Sequence, residues 1–278
     1  MRAALSALER PLPAAVLRWE GAAVLLLAWS CLLAIPLSLG EFGLGWDALN
    51  HHIYLGWTAE QHRFDYDFLG AGFQSFQSPY LYWPAYKMAT SGWSGTSAGV
   101  VLASLHLVGV WPVWMLARVC APGATVFDLA MRVLGVGLAL MSSLVLSAFG
   151  TSMNDLLAAA PLVWAVALAM EPAAHAGMAP AAARRHVLLS GACAGLSAAV
   201  KLSNAPFAIL LPGLWMLCAK GARGRLAAVL LGTLGTVAGF LAAYGYWGAV
   251  LWRHFGNPIF PFYDHWFAPL RAWVGWAG

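Results

Sequence analysis

The segment WDALNHHIYLGW, residues 46–57, concentrates polar chemistry in a very hydrophobic chain. Between Asp47 and Tyr54 it holds an aspartate, two histidines, an asparagine and a tyrosine. It directly follows an uncharged run, residues 21–40, which has the length and composition of a membrane span. The segment is therefore either a solvated loop or a reaction centre held at the membrane surface.

Helical spacing divides this segment into two faces. One face is apolar and the neighbouring face is polar: Trp46, Leu49, Ile53 and Trp57 against Asp47, Asn50, His51, Tyr54 and Thr58. The pattern predicts an amphipathic helix over 46–60 that lies in the membrane interface with its polar face towards a cavity. Asp47 is also expected as an N-cap, since aspartate at a helix start accepts backbone N–H bonds. His51 and His52 are adjacent and are expected to point apart, so they do not predict a metal site.

Further ionisable residues lie at the ends of apolar runs. Asp155 closes GTSMND and Lys201 lies in AAVKLSNAP. Ionisable groups at membrane depth are costly, so they face a cavity or a partner. An Asp155–Lys201 ion pair is the simplest structural expectation.

Two stretches in the first loop and one near the end of the chain carry more polar residues. FDYDF offers Asp65 and Asp67, which fit a solvated acidic turn better than a cation site. Lys87, in SPYLYWPAYKMATSGW, either neutralises a lipid phosphate or extends its charge into water. Arg253 and Asn257 begin RHFGNPIFPFYDHWF, which Gly256-Asn257-Pro258 marks as a turn.

Composition places the chain among polytopic membrane proteins. Hydrophobic residues make up 61% and charged residues 9% of its 278 residues, whereas a soluble domain has about 25% charged residues. Fifteen tryptophans fit membrane interfaces. The net charge of +4 is scattered between apolar runs, which excludes a nucleic-acid surface. The cysteines, Cys31, Cys120, Cys193 and Cys218, have no metal or disulfide spacing and are expected to be small core residues.

Apolar runs and basic residues together predict an all-α chain of about seven spans. The predicted spans are 21–40, 97–117, 133–150, 155–170, 187–200, 202–218 and 226–250. With the N-terminus in the cytoplasm, most arginines and lysines, Arg2 included, fall on the cytoplasmic side. Residues 1–278 then form one membrane domain with an outer loop at 41–96 and an outer segment at 251–278, and further spans are expected beyond it.

Three stretches resemble GT-C glycosyltransferases, in the branch of the protein mannosyltransferases and lipid A aminoarabinose transferases. They are WDALNHHIY after the first span, GTSMNDLLAAAPLVWAVAL, and GLSAAVKLSNAPFAILLPGLW. FGNPIFPFYDHWF is similar to an outer-loop motif of bacterial members. The resemblance covers most of 21–267. It implies a plasma-membrane enzyme that transfers a sugar from a polyprenyl-phosphate carrier to an acceptor (a lipid, a glycan or a protein) at the outer face.

The resemblance also implies roles for single residues. Asp47 matches the catalytic base, which takes the acceptor's proton during an inverting attack. Lys201, with Arg253 or Lys87, would offset charge on the departing lipid phosphate. Asp155 matches an acidic position that either binds a divalent cation or positions substrate, and no cofactor beyond that cation is implied. For a second acidic residue, Glu60, Asp65 and Asp67 compete. His51, Tyr54 and Asn257 complete the expected contacts to donor and acceptor.

Two other functional classes stay open. A transporter or lipid flippase would place polar residues at the bilayer midplane and break helices in repeated halves, whereas the ionisable residues here lie at span ends and in loops. A non-enzymatic subunit of a membrane assembly is the third hypothesis.

Overall fold

A computed structural model describes residues 6–175 and 177–276, so Arg2 lies outside the described residues. Within them the chain is predominantly helical, as predicted. The helices are α1 (Ala14–Leu39), α2 (Ile53–Thr58), α3 (Trp83–Thr90), α4 (Gly95–His106), α5 (Val110–Cys120), α6 (Val126–Leu140), α7 (Ser143–Ala148), α8 (Asp155–Ala174), α9 (Pro180–Val200), α10 (Ala205–Cys218), α11 (Gly221–Phe255) and α12 (Asp264–Trp273). A π-helical turn, Ala48–His52, precedes α2, and a short strand, β1, covers Gly70–Phe73.

Among the described residues, four helices are long and apolar enough to cross a membrane. They are α1, the continuous Gly95–Cys120 unit formed by α4 and α5, α8 and α11. The helix Leu202–Cys218 is apolar but shorter. These helices confirm the coarser prediction, a helical chain that carries helices long and apolar enough to span a membrane.

The other predicted spans have a different local structure. The run 133–150 is divided at Met141 and Ser142, because Ser142 caps a new helix by accepting a hydrogen bond from the Val145 amide. The run 187–200 belongs to α9, which begins earlier, at Pro180, and carries Arg184 and Arg185 in its first turns. Its remaining residues are mainly alanine, glycine and serine, which pack closely but contribute little hydrophobicity.

Hydrogen bonds between loops define two ends of the helix bundle. At one end Gly43 N donates to the Gly150 carbonyl at 2.8 Å and Thr96 Oγ1 donates to the Gly40 carbonyl at 2.7 Å. At the other, Leu12 N donates to the Ala124 carbonyl at 2.8 Å. The first end, called the loop-rich end, holds residues 40–94, 149–154 and 201–204. The opposite end holds the starts of α1, α6, α9 and α11.

Glycines bring α9 and α11 into backbone contact. A Cβ atom on Gly191 would lie 1.9 Å from the Gly232 carbonyl oxygen, and one on Gly195 would lie 2.0 Å from that of Thr236. A Cβ on Gly239 would lie 2.1 Å from the Ala192 carbonyl oxygen. Small residues allow such close crossings between membrane helices. This crossing fixes where α9 ends, and therefore the position of Lys201.

A buried ion pair joins α1 to α6. Arg132 Nη2 lies 2.8 Å from Glu20 Oε2, and both side chains are almost fully buried. Arg132 Nη1 also donates to the carbonyls of Ala121 and Gly123. The guanidinium thereby ties the link between α5 and α6 to the first helix.

The cysteine prediction is wrong in part. Cys31 and Cys120 are exposed on outward helix faces, whereas Cys193 and Cys218 are half-buried. An apolar residue of a membrane helix can face lipid as readily as the core, so hydrophobic context does not predict burial.

Candidate functional site

The helix that carries Asp47 contains a π turn. Residues 46–58 are helical throughout, but Ala48–His52 form i→i+5 bonds, and Ile53 N donates to the Ala48 carbonyl. Such turns are rare and are frequent at functional sites. The extra residue in the turn changes which side chains share a face.

The two histidines share one buried face, so the prediction that they point apart is wrong. Both are 5% exposed, and their rings meet edge to face with centroids 4.4 Å apart. Tyr82, also buried, packs against both, with ring centroids 6.1 Å from His51 and 4.9 Å from His52. The wider turn explains this arrangement, since adjacent residues of an α-helix lie about 100° apart around the axis.

Asp47 remains accessible above this buried layer. Its side chain is 51% exposed, and its Oδ1 lies 3.8 Å from His51 Nδ1. Asp47 has helical backbone angles, and its side chain makes no capping bond. The predicted N-cap role is therefore wrong, and the carboxylate is accessible to a ligand.

The segment 150–155 packs against the two histidines. Ser152 Oγ lies 2.7 Å from His52 Nδ1, and both groups are buried. Asn154 is 5% exposed, and its side-chain Nδ2 has no hydrogen-bond partner among the described residues. His51 Nδ1 is also buried without one. Two buried polar atoms, His51 Nδ1 and Asn154 Nδ2, thus remain unsatisfied, which is costly unless a ligand or water pairs with them.

Lys201 and Asp155 form the expected ion pair. Lys201 Nζ contacts Asp155 Oδ1, and both side chains are partly exposed. Lys201 has an extended backbone between α9 and the 3₁₀ turn Leu202–Asn204. Asn204 Nδ2 supports this break by donating to Ser197 Oγ at 3.0 Å and to the Ala158 carbonyl at 3.2 Å. The network fixes the lysine at the start of α8.

The charges of Asp47, Asp155 and Lys201 all act on the two buried histidines. Burial lowers the pKa of His51, Asp47 opposes that shift, Lys201 adds to it and Asp155 opposes it. Burial and neighbouring His51 lower the pKa of His52 to about 4. Both rings are therefore neutral near pH 7, which leaves Lys201 as the cation of the site.

The carboxylates of Asp155 and Asp47 also affect the pKa of Tyr82. Burial raises its pKa, and Asp155 and Asp47 add to the rise. The Asn154 amide lies close enough to oppose it, although Asn154 Nδ2 does not meet full hydrogen-bond geometry. The phenol is therefore protonated near neutral pH and donates to Gln77 Oε1 at 3.1 Å.

The residues present do not fit a metal centre. Among the described residues, no group of three or more His, Cys, Asp or Glu side chains is arranged to hold a metal ion. Asp155 pairs with Lys201, which occupies a carboxylate that a cation would need. The divalent cation considered from the sequence therefore has no part in the chemistry described below.

Tyr54 and Lys87 have their own partners in the first loop. Tyr54 donates to Asp67 Oδ2 at 3.2 Å, and Arg63 holds both oxygens of that carboxylate, at 2.8 and 3.0 Å. Lys87 Nζ lies 2.8 Å from Glu60 Oε1. These pairs stabilise the first loop and hold both side chains there.

The acidic turn is solvated as expected at Asp65, whose side chain is 77% exposed and whose Oδ1 lies 4.0 Å from His254 Nδ1. Asp67 faces Arg63 instead. The two carboxylates therefore do not form a joint cation site. None of the three candidates for a second acidic residue, Glu60, Asp65 and Asp67, acts on the pKa of His51 or His52, whereas Asp155 does.

Asn257 and Arg253 lie at the end of α11. Asn257 is fully buried, and its amide donates to the Phe262 carbonyl and to Asp264 Oδ1 while its oxygen accepts from Ile259 N. Asn257 therefore holds its own loop and is not retained in the site. Arg253 is exposed and lines an apolar groove of about 530 Å³ beside Trp252 and Phe267.

Sequence reasoning missed four members of the site. The sequence does not predict a role in the site for His52, Ser152, Asn154 or Tyr82. GTSMND and SPYLYW do place polar groups at loop boundaries. The pairing of 43 with 151 and the packing of Tyr82 on the two histidines are tertiary contacts, which the sequence does not show. No family model, curated protein or solved structure matches this chain.

Proposed function

We propose that the chain is an integral membrane glycosyltransferase that moves a sugar from a polyprenyl-phosphate carrier to an acceptor. The observation that carries the proposal is the accessible Asp47 carboxylate above a buried polar layer, with the Lys201–Asp155 pair within electrostatic reach. A base that removes the acceptor's proton and a cation that binds the departing phosphate are the two groups that such a transfer needs. The resemblance to GT-C glycosyltransferases supports the same assignment.

In the proposed reaction, Asp47 is the general base. Asp47 removes the proton from an acceptor hydroxyl or amine while that atom attacks the anomeric carbon. The bond from the anomeric carbon to the phosphate oxygen breaks, and its electron pair leaves with the polyprenyl phosphate. The attack is opposite to the leaving group, so the anomeric configuration inverts. General base catalysis contributes roughly 10²–10⁴-fold in rate.

Lys201 is the proposed partner of the departing phosphate. In the free protein its charge is balanced by Asp155. A phosphate with two negative charges would compete with that single carboxylate for the ammonium group. The unsatisfied Nδ2 of Asn154 is a donor beside this pair and suits a sugar hydroxyl or a phosphate oxygen.

We further propose that seven segments cross a plasma membrane. Four of them are the helices that are long and apolar enough to do so, and three are additional. The additional segments are α6 with α7, α9, and Leu202–Cys218, which run between the same two ends of the bundle as the four long helices. Arg184, Arg185, Lys220, Arg223 and Arg225 lie at the opposite end. The preference for basic residues in the cytoplasm then places the N-terminus inside and the Asp47 site outside.

Within this placement, residues 46–58 form an interfacial helix. Trp46 is 73% and Leu49 is 69% exposed, whereas His51 and Leu55 are buried against the protein. An apolar exposed side on a helix beside a span suits the boundary of the lipid. The helix would hold Asp47 at the depth at which a lipid-linked phosphate lies.

Asp47→Asn tests the proposal. The purified protein is assayed with a panel of polyprenyl-phosphate sugars and with lipid, glycan and peptide acceptors. Asn removes the base with little change in volume, so we expect transfer to fall at least about 10²-fold while the detergent-purified protein keeps its elution profile. Asp65→Asn, another exposed carboxylate of the loop, is the matched control and should keep wild-type activity.

Two results would overturn the proposal. One is undiminished transfer by the Asp47 variant. The other combines two observations: the wild-type protein transfers sugar from no carrier in the panel, and it moves a substrate across the membrane of proteoliposomes in a carrier-dependent way. That combination would indicate a transporter or flippase.

A further inference from the structure

A second cavity lies at the opposite end of the bundle from the Asp47 site. The cavity has a volume of about 710 Å³ and lies among the ends of α8 and α10 and the starts of α9 and α11. This volume is within the range of ligand-binding clefts. Pro180 and Lys201 mark the two ends of α9, a helix of 21 residues, so about 30 Å separates this cavity from the first site.

The walls of this cavity are apolar and its mouth is basic. Ala169, Trp215 and Leu231 form part of the wall, and Trp215 is almost fully buried. Arg184 and Lys220 also line the cavity, and both are exposed. Apolar walls beneath cations match an amphiphile with an anionic head group.

The two cations are available for a ligand. Among the described residues, neither Arg184 nor Lys220 forms an ion pair, and Arg184 makes one long bond, from Nε to the Pro180 carbonyl at 3.4 Å. The neighbouring acid, Glu171, is paired with His175 at 2.9 Å. In the part of the chain that the structure describes, no carboxylate lies within ion-pair distance of either cation.

We infer that this cavity binds an anionic phospholipid of the surrounding membrane. The phosphate would lie between Arg184 and Lys220, and the start of an acyl chain would follow the wall formed by Trp215 and Leu231. The charge complementarity selects an anionic head group, and the apolar wall selects a lipid over a soluble phosphate. Basic pockets between membrane helices bind such head groups. The inference is independent of the proposed glycosyl transfer.

Lipid binding by the full chain tests this inference. Purified protein in detergent is titrated with phosphatidylglycerol, and bound lipid is measured by native mass spectrometry. Each cation near an anionic head group contributes about fivefold in affinity, so Arg184→Gln combined with Lys220→Gln should weaken binding about 30-fold. Arg185→Gln combined with Arg223→Gln removes the same charge from the same end without altering the lining, and should change binding at most about threefold.

A second variant tests the wall without changing charge. Ala227 lines the cavity and is exposed, so Ala227→Phe should fit without unfolding the protein and should displace the acyl chain, lowering affinity about tenfold or more. Three results would overturn the inference: equal losses in the two double variants, equal affinity for phosphatidylcholine and phosphatidylglycerol, or competition by inorganic phosphate as effective as that by the lipid.

Discussion

At the scale of single residues, ionisable groups at the ends of apolar runs were the best guide to the site. Asp47, Asp155 and Lys201 could be selected from sequence because a charge at the end of a span needs a partner or a cavity. The predicted Asp155–Lys201 pair is confirmed. Ser152 and Asn154 could not be selected, because their importance depends on burial next to a helix distant in sequence.

Lys201 is expected to act on the leaving phosphate, and this role can be separated from a structural one. Lys201→Met should lower kcat about 10²-fold, as removal of one group that stabilises a developing anion does. Lys201→Arg keeps the charge and should restore most of the rate. Lys87→Met is the matched control, since Lys87 is also a lysine of the loop-rich end that is paired with a carboxylate. A comparable loss of kcat in both methionine variants would contradict the assignment.

The buried His52 predicts a pH dependence of stability. Its pKa is lowered to about 4 in the folded state from an ordinary value of 6.5, so the unfolded chain binds the proton more readily. Its contribution is present above pH 6.5, declines as the pH falls below that value, and is lost by about pH 4. His51 shifts in the same direction.

Thermal unfolding in detergent between pH 7.5 and 5.0 measures this effect. The midpoint should fall over that interval in the wild-type protein and fall less in His52→Gln, because glutamine does not titrate. Both proteins must first show the same elution profile at pH 7.5. A slope unchanged by the substitution would show that another group is responsible.

At the scale of elements, the π turn marks the limit of prediction from periodicity. The helix over 46–60 was expected, and its exposed Trp46 and Leu49 agree with the predicted apolar face. The orientation of His51 and His52 was not expected, because an argument from periodicity assumes 3.6 residues per turn throughout the helix. Met141 and Ser142 likewise divide a run whose hydropathy is continuous.

The crossing of α9 and α11 depends on glycine. Gly195→Val should lower the free energy of unfolding by about 3 kcal/mol or more, since overpacking typically costs 1–3 kcal/mol and here the obstacle is backbone, the Thr236 carbonyl. Gly213→Val on α10 is the control, because a Cβ there meets nothing within 4 Å. Chemical unfolding of the two variants in detergent measures the difference. Equal stability would contradict the close crossing.

At the scale of the whole molecule, the class of fold was predictable from composition and the number of spans was not. Length and hydropathy identify α1, Gly95–Cys120, α8 and α11. Length and hydropathy do not identify α9 as a span, because its alanines and glycines serve close packing and its first turns carry two arginines. The decision between a packed helix and a span then depends on which end the loops occupy.

Reporter fusions decide the proposed topology. A periplasmic reporter, such as alkaline phosphatase, inserted after residue 60 should be active, and one inserted after residue 222 should be inactive, because the two positions lie at opposite ends of the bundle. A fluorescent protein that matures in the cytoplasm should give the reverse pattern. Activity of the same reporter at both positions would place both ends on one side and exclude the seven-span arrangement.

Helix α11 is longer than the hydrocarbon core of a membrane is thick. Its 35 residues measure about 52 Å, against a hydrocarbon core of about 30 Å. A tilt of about 40°, at the upper limit for membrane helices, still leaves about 10 Å outside that core. Trp247, near the end of α11, donates to the Phe76 carbonyl in the first loop. In the proposed topology, this contact would let the last long helix hold the first loop at the membrane surface.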